Sequence, residues 1–346
     1  MNNEQSIRSR STVMPLQACL IALCLAALSL PAALLGEGKS ATDDYYAIAA
    51  STKLDREGAR PFHLKLETQL FDLKGKPSEA GMIEEWWLAP DQFRIEINSG
   101  DVHEVILTGE PDQVSVGTFR SAFLLRQLLS IALNPLTPLN PNEKVSESDR
   151  EIKGHKLSCF VFAREEETQS GREITYCHEP GENNIRLSVS RDYTAMRSRV
   201  GTFGSTNVAL DIGISYMGQP AIAGKVVQLQ VFDPAAAGSP ELRVSKVYNS
   251  DPHIPSAPVA PGHIRSAPSK DYPLYALHEH IGGIVLLGCR VTREGKVTAA
   301  DVIATSNDIF DKAAVDWVKR LIYTPFTLKG QPVDTFVWQY AYFGAR

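Results

Sequence analysis

The chain has 346 residues, of which 43% are hydrophobic and 22% charged, a composition typical of folded soluble proteins and a length sufficient for two domains. Its formal net charge of −5 gives no overall attraction to nucleic acid or anionic lipid, so we predict no nucleic-acid partner. No P-loop, G-x-S-x-G, G-x-G-x-x-G or Cys-x-x-Cys motif is present, and we predict no enzymatic activity, cofactor or metal site.

Residues 1–36 have the layout of a targeting segment. Arg8 and Arg10 precede an apolar run from Val13 to Leu35. This run is long enough to span a bilayer, whereas Pro31 and the small residues after it are typical of a cleavage region. Two alternatives stay open: a cleaved signal peptide, which leaves a periplasmic protein, or a retained inner-membrane anchor facing the periplasm.

Residues 43–248 are predicted to form a β-rich domain with helices at Asp43–Leu54 and Ala122–Leu133. The second helix is apolar around much of its circumference, so we expect it to lie in the concave face of a curved, half-barrel-like antiparallel sheet. Alternating segments between turn residues indicate these strands: 63–71, 81–88, 92–98, 102–108, 157–163, 173–177, 185–190, 196–203, 208–216 and 226–231.

Segment 84–96, with the sequence EEWWLAPDQFRIE, resembles the tryptophan–proline–arginine step of the LolA/LolB-type lipoprotein carriers. The resemblance implies a half-barrel that holds acyl chains under helices, and therefore a lipid or acylated ligand. The alternative is that its large apolar residues are ordinary core residues. The residues expected to line the ligand cavity are Trp86, Phe93, Leu125 and Leu129.

Two cysteines flank a charged turn at Arg164–Gly171. Cys159 and Cys177 are equidistant from Thr168, so in a hairpin centred there they would face each other across the strands. We predict a disulfide between them, which requires an oxidising compartment; two unpaired buried thiols are the alternative. Cys289 falls in the apolar register of a later strand and is predicted to be a small core residue.

Residues 251–269 are predicted to be a linker because they contain five prolines among small polar residues. Extended at about 3.1 Å per residue, this linker would separate its flanking domains by up to roughly 60 Å.

Residues 270–346 are predicted to form a small β-β-α-β domain, which makes the whole chain α+β. Strands at Ile281–Val291 and Lys296–Ala304 are joined by a turn at Gly295, and a helix at Asp308–Leu321 precedes a strand at Asp334–Phe343. The last strand places four aromatic residues on one face, which we expect to pack under the helix: Phe336, Trp338, Tyr340 and Tyr342.

Several landmarks of this domain, in this order, resemble the TonB C-terminal domain. They are Tyr272-Pro273, Gly283, Gly295, Ser306, Asp311-x-Ala313-Ala314, Tyr323-x-Pro325, Gly330-x-Pro332 and the aromatic strand ending at Phe343. The resemblance implies a periplasmic domain that docks on an outer-membrane transporter or another envelope protein by adding an extended peptide to its sheet.

The partner-binding residues that this resemblance implies are Tyr272, Pro273, Phe336, Val337, Trp338, Gln339 and Tyr340. Inner-membrane motor partners are expected only if residues 1–36 are retained, and the apolar run lacks the histidine that the family's anchor uses.

Two other groupings were considered as sites. His278 and His280 would project from one face of a strand, but no third metal ligand lies near them in the sequence. Glu84 and Glu85 are adjacent strand residues that point to opposite faces, so they cannot act as a glycosidase pair.

Overall fold

The computed structural model describes residues 40–100, 102–107, 113–114, 119–139, 143–152, 154–164, 175–190, 193–236, 239–240, 242 and 262–344. The predicted targeting segment and residues 251–261 of the predicted linker lie outside these ranges. No helix within the described ranges is both long enough and apolar enough to cross a membrane.

The helices are α1 (Ala41–Thr52), α2 (Phe119–Leu133), α3 (Leu274–His278) and α4 (Asp311–Val318), the last preceded by a 3-10 turn at Asp308–Phe310. The first fourteen strands are β1 (Phe62–Phe71), β2 (Pro77–Ala89), β3 (Gln92–Ser99), β4 (Val102–Leu107), β5 (Gln113–Val114), β6 (Glu143–Ile152), β7 (His155–Arg164), β8 (Thr175–His178), β9 (Ile185–Val189), β10 (Tyr193–Arg197), β11 (Val200–Phe203), β12 (Thr206–Ala209), β13 (Asp211–Tyr216) and β14 (Gln219–Val231). The remaining strands are β15 (Ile264–Ser266), β16 (Gly283–Val291), β17 (Val297–Thr305), β18 (Ile322–Tyr323), β19 (Thr327–Leu328), β20 (Gln331–Pro332) and β21 (Thr335–Phe343).

One antiparallel sheet of twelve strands dominates the N-terminal domain, in the order β5-β4-β3-β2-β1-β14-β13-β10-β9-β8-β7-β6. The sheet is open, because its outermost strands β5 and β6 do not pair with each other. Phe62, Leu64 and Leu66 alternate with more exposed residues along β1 and define what we call the inner face. The predicted large antiparallel sheet is therefore confirmed.

Helix α2 lies on the inner face of this sheet. Its Leu125 and Leu128 are completely buried, and they belong to the same core cluster as Leu64 and Leu66. Gly224 of β14 makes room for the helix, since a Cβ atom there would lie 2.7 Å from Leu128 Cδ2.

An ion pair between Arg126 and the buried Glu104 connects α2 to the large sheet. Arg126 Nε donates to Glu104 Oε2 of β4 at 3.0 Å, and the Glu104 side chain is fully buried. Burial lowers the pKa of the Arg126 guanidinium to about 10. The half-exposed guanidinium supplies the counter-charge that the buried Glu104 carboxylate needs.

Helix α1 covers the far end of the inner face. It begins at a capping box in which Ser40 Oγ accepts from the Asp43 backbone N–H at 3.2 Å. Its Tyr45 and Ile48 pack against Phe160 and Tyr176 of β7 and β8. Cross-strand register connects these residues to the face that α2 covers, so the two helices share one side of the sheet.

The structure corrects two strand predictions and adds a long strand. Segments 196–203 and 208–216 each divide into two strands, because the chain leaves the large sheet near Ser198 and Leu210 and the pieces between form a separate hairpin, β11–β12. Strand β6 was not predicted. It is the outermost strand and nearly all of its described side chains are exposed, so its sequence is polar on both faces.

The predicted disulfide between Cys159 and Cys177 is confirmed. The two residues are directly opposite on β7 and β8 with their Cα atoms 4.0 Å apart. Leu157 and Leu187 pack around them on the outer face of the sheet.

The C-terminal unit is a three-stranded antiparallel sheet in the order β17-β16-β21, covered on one face by α4. The predicted hairpin, helix and final strand are present, although the α-helix ends at Val318, before the predicted Leu321. Phe310, Ala314 and Val318 fill the space between the helix and the sheet. Strand β15, inside the predicted linker, pairs with β18.

The large sheet and the small C-terminal sheet contribute to one core cluster, and residues 251–261 of the predicted linker lie outside the described ranges. Leu286, Ile303 and Ala304 of the C-terminal sheet belong to the same core cluster as helix α2. Helix α2 is therefore packed between the large sheet on one side and the small sheet on the other.

Candidate partner-binding edge of the C-terminal sheet

Strand β21 is a regular edge strand. It pairs with β16 over nine consecutive residues, from Thr335 to Phe343, without a bulge. No other described strand pairs with its outer side. A long, regular edge of this kind presents unpaired backbone groups to which another chain can add a strand.

The direction of the backbone groups on β21 follows from its neighbour. The Ile284 N–H donates to Ser306 Oγ and its carbonyl accepts from the Ser306 N–H, both at 2.9 Å, so Ile284 bonds towards β17. Since bonding direction alternates along a strand, Cys289 bonds towards Val337 of β21. The backbone groups of Phe336 and Trp338 consequently point away from β16, to the outer side.

Strand β17 also lies at an edge but is irregular and covered. Two register shifts against β16 leave Thr298 and Ile303 without opposite partners. Arg120 Nε of α2 donates to the Ile303 carbonyl at 2.9 Å, and the Phe119 N–H donates to Asp301 Oδ2 at 3.2 Å. This edge is therefore already used by the chain itself.

The side chains of β21 divide between two helices. Val337, Ala341 and Phe343 pack in the cluster under α4. Phe336 and Trp338 face α2 instead, with ring centroids 5.0 Å from Phe119 and 4.4 Å from Phe123, respectively.

The aromatic row of Phe336, Trp338, Tyr340 and Tyr342 was expected under the helix that follows β17, and that expectation is wrong for all four residues. The strand presents its odd-numbered residues to α4, so the even-numbered residues necessarily occupy the other face. Trp338 remains 52% exposed, which leaves an aromatic surface beside the outer edge.

Gln339 and Tyr340 continue the same strand. Gln339 Oε1 accepts from the Tyr323 hydroxyl at 2.9 Å, and its Nε2 donates to the Tyr340 carbonyl at 3.0 Å. Tyr340 packs at the border of the cluster that contains α2.

Tyr272 and Pro273 lie at the end of the sheet and not beside Trp338. The Tyr272 hydroxyl donates to the Gly344 carbonyl at 3.0 Å, and its ring packs edge-on against Phe343 at 5.7 Å. Tyr272 therefore fastens the end of β21, while Pro273 precedes the short helix α3. The predicted partner-binding residues 336–340 therefore lie together on β21, whereas Tyr272 and Pro273 lie away from the middle of this edge.

Arg120, Asp301 and two exposed residues of α3 were not predicted from the sequence. Leu274 is 83% exposed and Tyr275 65% exposed, beside the end of β21 that Tyr272 fastens. Their sequence signal was the unit Tyr272-Pro273-Leu274-Tyr275, in which two large apolar residues follow a helix-starting proline. Arg120 and Asp301 carried no signal, because their contact joins distant parts of the chain.

The titratable groups inside the small sheet are held in their neutral forms. Cys289 is completely buried, and burial together with nearby Asp301 raises the pKa of its thiol to about 12. Burial raises the pKa of the Tyr323 hydroxyl as well. Over the described residues no cluster of three or more His, Cys, Asp and Glu side chains could hold a metal ion.

Three of the four residues expected to line a ligand cavity lie together. Leu125 and Leu129 of α2 are buried in the inner-face cluster, against which Phe93 of β3 packs. Trp86 does not join them, because it lies on the outer face with its ring stacked on His63 at 4.8 Å. In this structure α2 itself occupies the space over the inner face.

The two glutamates beside Trp86 point to opposite faces, as the alternation of strand residues predicts. Glu84 on the outer face binds His63, with 2.6 Å between Oε1 and Nε2. Glu85 is buried on the inner face, where burial and then the charge of Asp55 raise its pKa well above the usual range.

Residues 268–342 match a family described as the Gram-negative bacterial TonB protein C-terminal domain. The resemblance inferred from the sequence is thus confirmed for this part of the chain, and it supports a cell-envelope protein. A comparison with curated proteins finds no significant match.

Solved structures similar to this chain include a LolA superfamily protein from Nitrosomonas europaea, with a TM-score of 0.38 and 7% identity over 55% of this chain and 94% of that one. A putative outer membrane lipoprotein-sorting protein domain from Vibrio parahaemolyticus has a TM-score of 0.33 and 8% identity over 57% and 93%. The MucA/MucB complex of Pseudomonas aeruginosa gives a TM-score of 0.28 and 13% identity over 73% and 80%.

Proposed function

We propose that this chain is a non-enzymatic docking protein of the cell envelope, whose strand β21 accepts an extended peptide by strand addition. The peptide would belong to an outer-membrane transporter or another envelope protein. The observation that carries the proposal is the contrast between a regular, nine-residue edge at β21 and an edge at β17 that is bulged and bound by α2.

The chemistry of the edge favours a peptide with a large apolar side chain. Backbone groups of Phe336 and Trp338 face outwards and would pair with the incoming strand. The exposed Trp338 ring lies beside them and offers stacking area without the loss of many rotamers. Exposed Leu274 and Tyr275 extend the apolar surface past the end of β21.

A role in energy-coupled transport is part of this proposal only under one condition. Force can be transmitted from inner-membrane motor proteins only if residues 1–36 are retained as an anchor. If they are cleaved, the same edge serves a periplasmic adaptor. Sequencing the N-terminus of the protein purified from its native envelope separates these two forms.

Site-specific photo-crosslinking tests the docking role. A photoreactive phenylalanine analogue is placed at Trp338 of β21 or, as the matched control, at the exposed Thr298 of β17. In native cells we expect a discrete crosslinked envelope protein from position 338 and none from position 298. Equal products from both positions, or none from 338, would refute strand addition at β21.

As a second function, we propose that the N-terminal domain carries a lipid or acylated ligand. The observation in its favour is that a single apolar helix, α2, covers the inner face over Gly224 and could be replaced there by acyl chains. Leu125, Leu129 and Phe93 would contact the ligand. Native mass spectrometry after gentle purification should show a bound lipid, and a consistently empty protein would contradict this role.

A further inference from the structure

Arg197 is a buried cation at the end of β10. It is only 4% exposed and lies on the inner face, two residues beyond the completely buried Ala195. Thr52 at the end of α1 and Ala132 near the end of α2 lie around it. Burial lowers the pKa of the guanidinium to about 10, still well above physiological pH, so it stays charged.

The guanidinium has donors without acceptors. Its Nη1 donates to Ser188 Oγ at 3.0 Å, whereas Nε and Nη2 have no hydrogen-bond partner among the residues that the structure describes. The titratable groups that act on it are the hydroxyls of Tyr193 and Tyr176, and no described carboxylate forms an ion pair with it. Burying a charge without a counter-charge is costly, so the missing partner is expected to be an anion.

The two donors without acceptors have the geometry for a carboxylate. The Nε and Nη2 hydrogens lie on one edge of the planar guanidinium and point in nearly the same direction. This edge matches the two oxygens of a carboxylate in a bidentate contact. A single water molecule would satisfy part of the edge but would not neutralise the charge.

Arg197 lines a small cavity of about 10 Å³, which has room for one water molecule. The lining is mixed, with apolar residues from α2, the segment after it and the hairpin β11–β12, and with the polar Thr52, Asn184 and Asn207. A group attached to the carboxylate would therefore contact mainly aliphatic side chains, with the two asparagine amides also in the lining.

The hairpin is the wall best suited to move. Strands β11 and β12 pair only with each other and form no part of the twelve-stranded sheet. A second cavity, of about 190 Å³, lies beside the tip of the hairpin at Phe203–Thr206 and is bounded on its other side by Arg56 and Arg60. Enlarging the cavity at Arg197 requires this hairpin to shift against the contacts that hold it, since Val208 belongs to the core cluster and Asn207 Nδ2 donates to the Asn183 carbonyl at 2.8 Å.

We infer that Arg197 is the anion-binding residue of a ligand site for an aliphatic carboxylate, enclosed by the ends of α1 and α2 and by the hairpin β11–β12. The site is independent of strand addition at β21. It rests on the second proposed function only because it assigns a ligand class to the same domain. If the domain carries uncharged lipids instead, the second proposed function holds and the assignment of Arg197 fails.

Isothermal titration of the full chain with octanoate, acetate and octanol tests the site. We expect octanoate to bind, acetate to bind at least tenfold more weakly, and octanol to show no saturable binding. Octanol binding as tightly as octanoate would show an apolar cavity without an anion site and would overturn the inference. Acetate binding as tightly as octanoate would overturn the aliphatic ligand class.

The Arg197→Met variant should lose octanoate binding by at least tenfold while its melting temperature stays equal or rises, because an unpaired buried charge has been removed. Arg199→Met is the matched control, since Arg199 is exposed and already paired with Asp211; it should bind as the unaltered chain does. Undiminished binding by Arg197→Met would overturn the assignment.

A measurement on the unaltered chain covers the case in which Arg197→Met does not fold. The Nε–H resonance of Arg197, assigned by NMR, should shift on addition of octanoate and not on addition of octanol. If it does not shift while octanoate binds, the ligand lies elsewhere and Arg197 is a structural residue. If no octanoate binds, Arg197 holds buried water only and the inference fails.

Discussion

The two outer strands of the C-terminal sheet, β17 and β21, are both nine residues long and flank the same central strand, yet they are prepared for different partners. Strand β17 is bulged twice, and its Ile303 carbonyl is bound by Arg120 of the other domain. Strand β21 is regular and has no described strand on its outer side. A sheet that protects one edge and leaves the other open directs an incoming strand to one place.

The largest expected effect comes from introducing a proline into β21, and its size should depend on which of two neighbouring positions is substituted. Val337→Pro removes a hydrogen bond to Cys289 and leaves a buried carbonyl unsatisfied, so we expect a loss of at least about 2 kcal/mol of unfolding free energy. Trp338→Pro changes an outward N–H, and we expect it to differ from Trp338→Ala by less than about 1 kcal/mol. Urea denaturation measures both values.

The reactivity of the buried Cys289 thiol gives an independent measure of the difference between Val337→Pro and Trp338→Pro. With a thiol pKa of about 12, only about 10⁻⁴ of it is thiolate at pH 8, and burial slows its reaction further. Alkylation should accelerate strongly in Val337→Pro and remain slow in Trp338→Pro. Equal rates in the two proline variants would contradict the assigned directions of the backbone groups.

A smaller effect is expected when the contact between α2 and β21 is reduced. Phe123→Ala removes a ring that touches both Trp338 and Tyr216, and a loss of about 2 kcal/mol is expected because the ring is only partly buried. Trp338 fluorescence should shift to longer wavelength. Phe123→Leu serves as the control, since it keeps most of the apolar contact and should lose less than half as much.

The smallest effect concerns the covering of β17. Arg120→Met removes the donor to the Ile303 carbonyl, with an expected cost of about 1 kcal/mol. Hydrogen exchange along β17 should quicken while exchange along β16 stays unchanged. The control is Arg265→Met, at an exposed position of β15, and a similar change in that variant would argue against a specific role for Arg120.

The sequence was sufficient to predict β16, β17, α4 and β21 of the C-terminal unit, because the starts and turns of these elements have local causes. The short elements α3, β15, β18, β19 and β20 were not predicted. Gly295 adopts a positive φ of 81° in the turn between β16 and β17, and a Cβ atom there would lie 2.0 Å from the Tyr323 carbonyl oxygen. The Cys159–Cys177 disulfide was predictable for the same reason, since two residues equidistant from a turn face each other in a hairpin.

The difference between the two edges could not be predicted from the sequence. It depends on Arg120 and Asp301, which are close only because α2 packs between the two sheets. The environment of Arg197 could not be predicted either. Alternation in β10 places it on the inner face, but whether a described carboxylate lies near it depends on which elements surround it, and none pairs with it. For Trp86 the strand register could have corrected the prediction. Its aromatic character suggested a cavity-lining residue, but its register against β1 places it on the outer face of the sheet.

The central claim is tested most directly by the affinity of a peptide for the edge of β21. Peptides selected from a random extended library against the full chain are titrated into Trp338→Pro, Trp338→Ala and Thr298→Pro. We predict that Trp338→Pro binds at least about tenfold more weakly than Trp338→Ala, because one backbone hydrogen bond is lost and the proline ring obstructs the edge. Thr298→Pro on β17 should bind as the unaltered chain does. Equal affinity for the two Trp338 variants, or a loss confined to Thr298→Pro, would contradict the account.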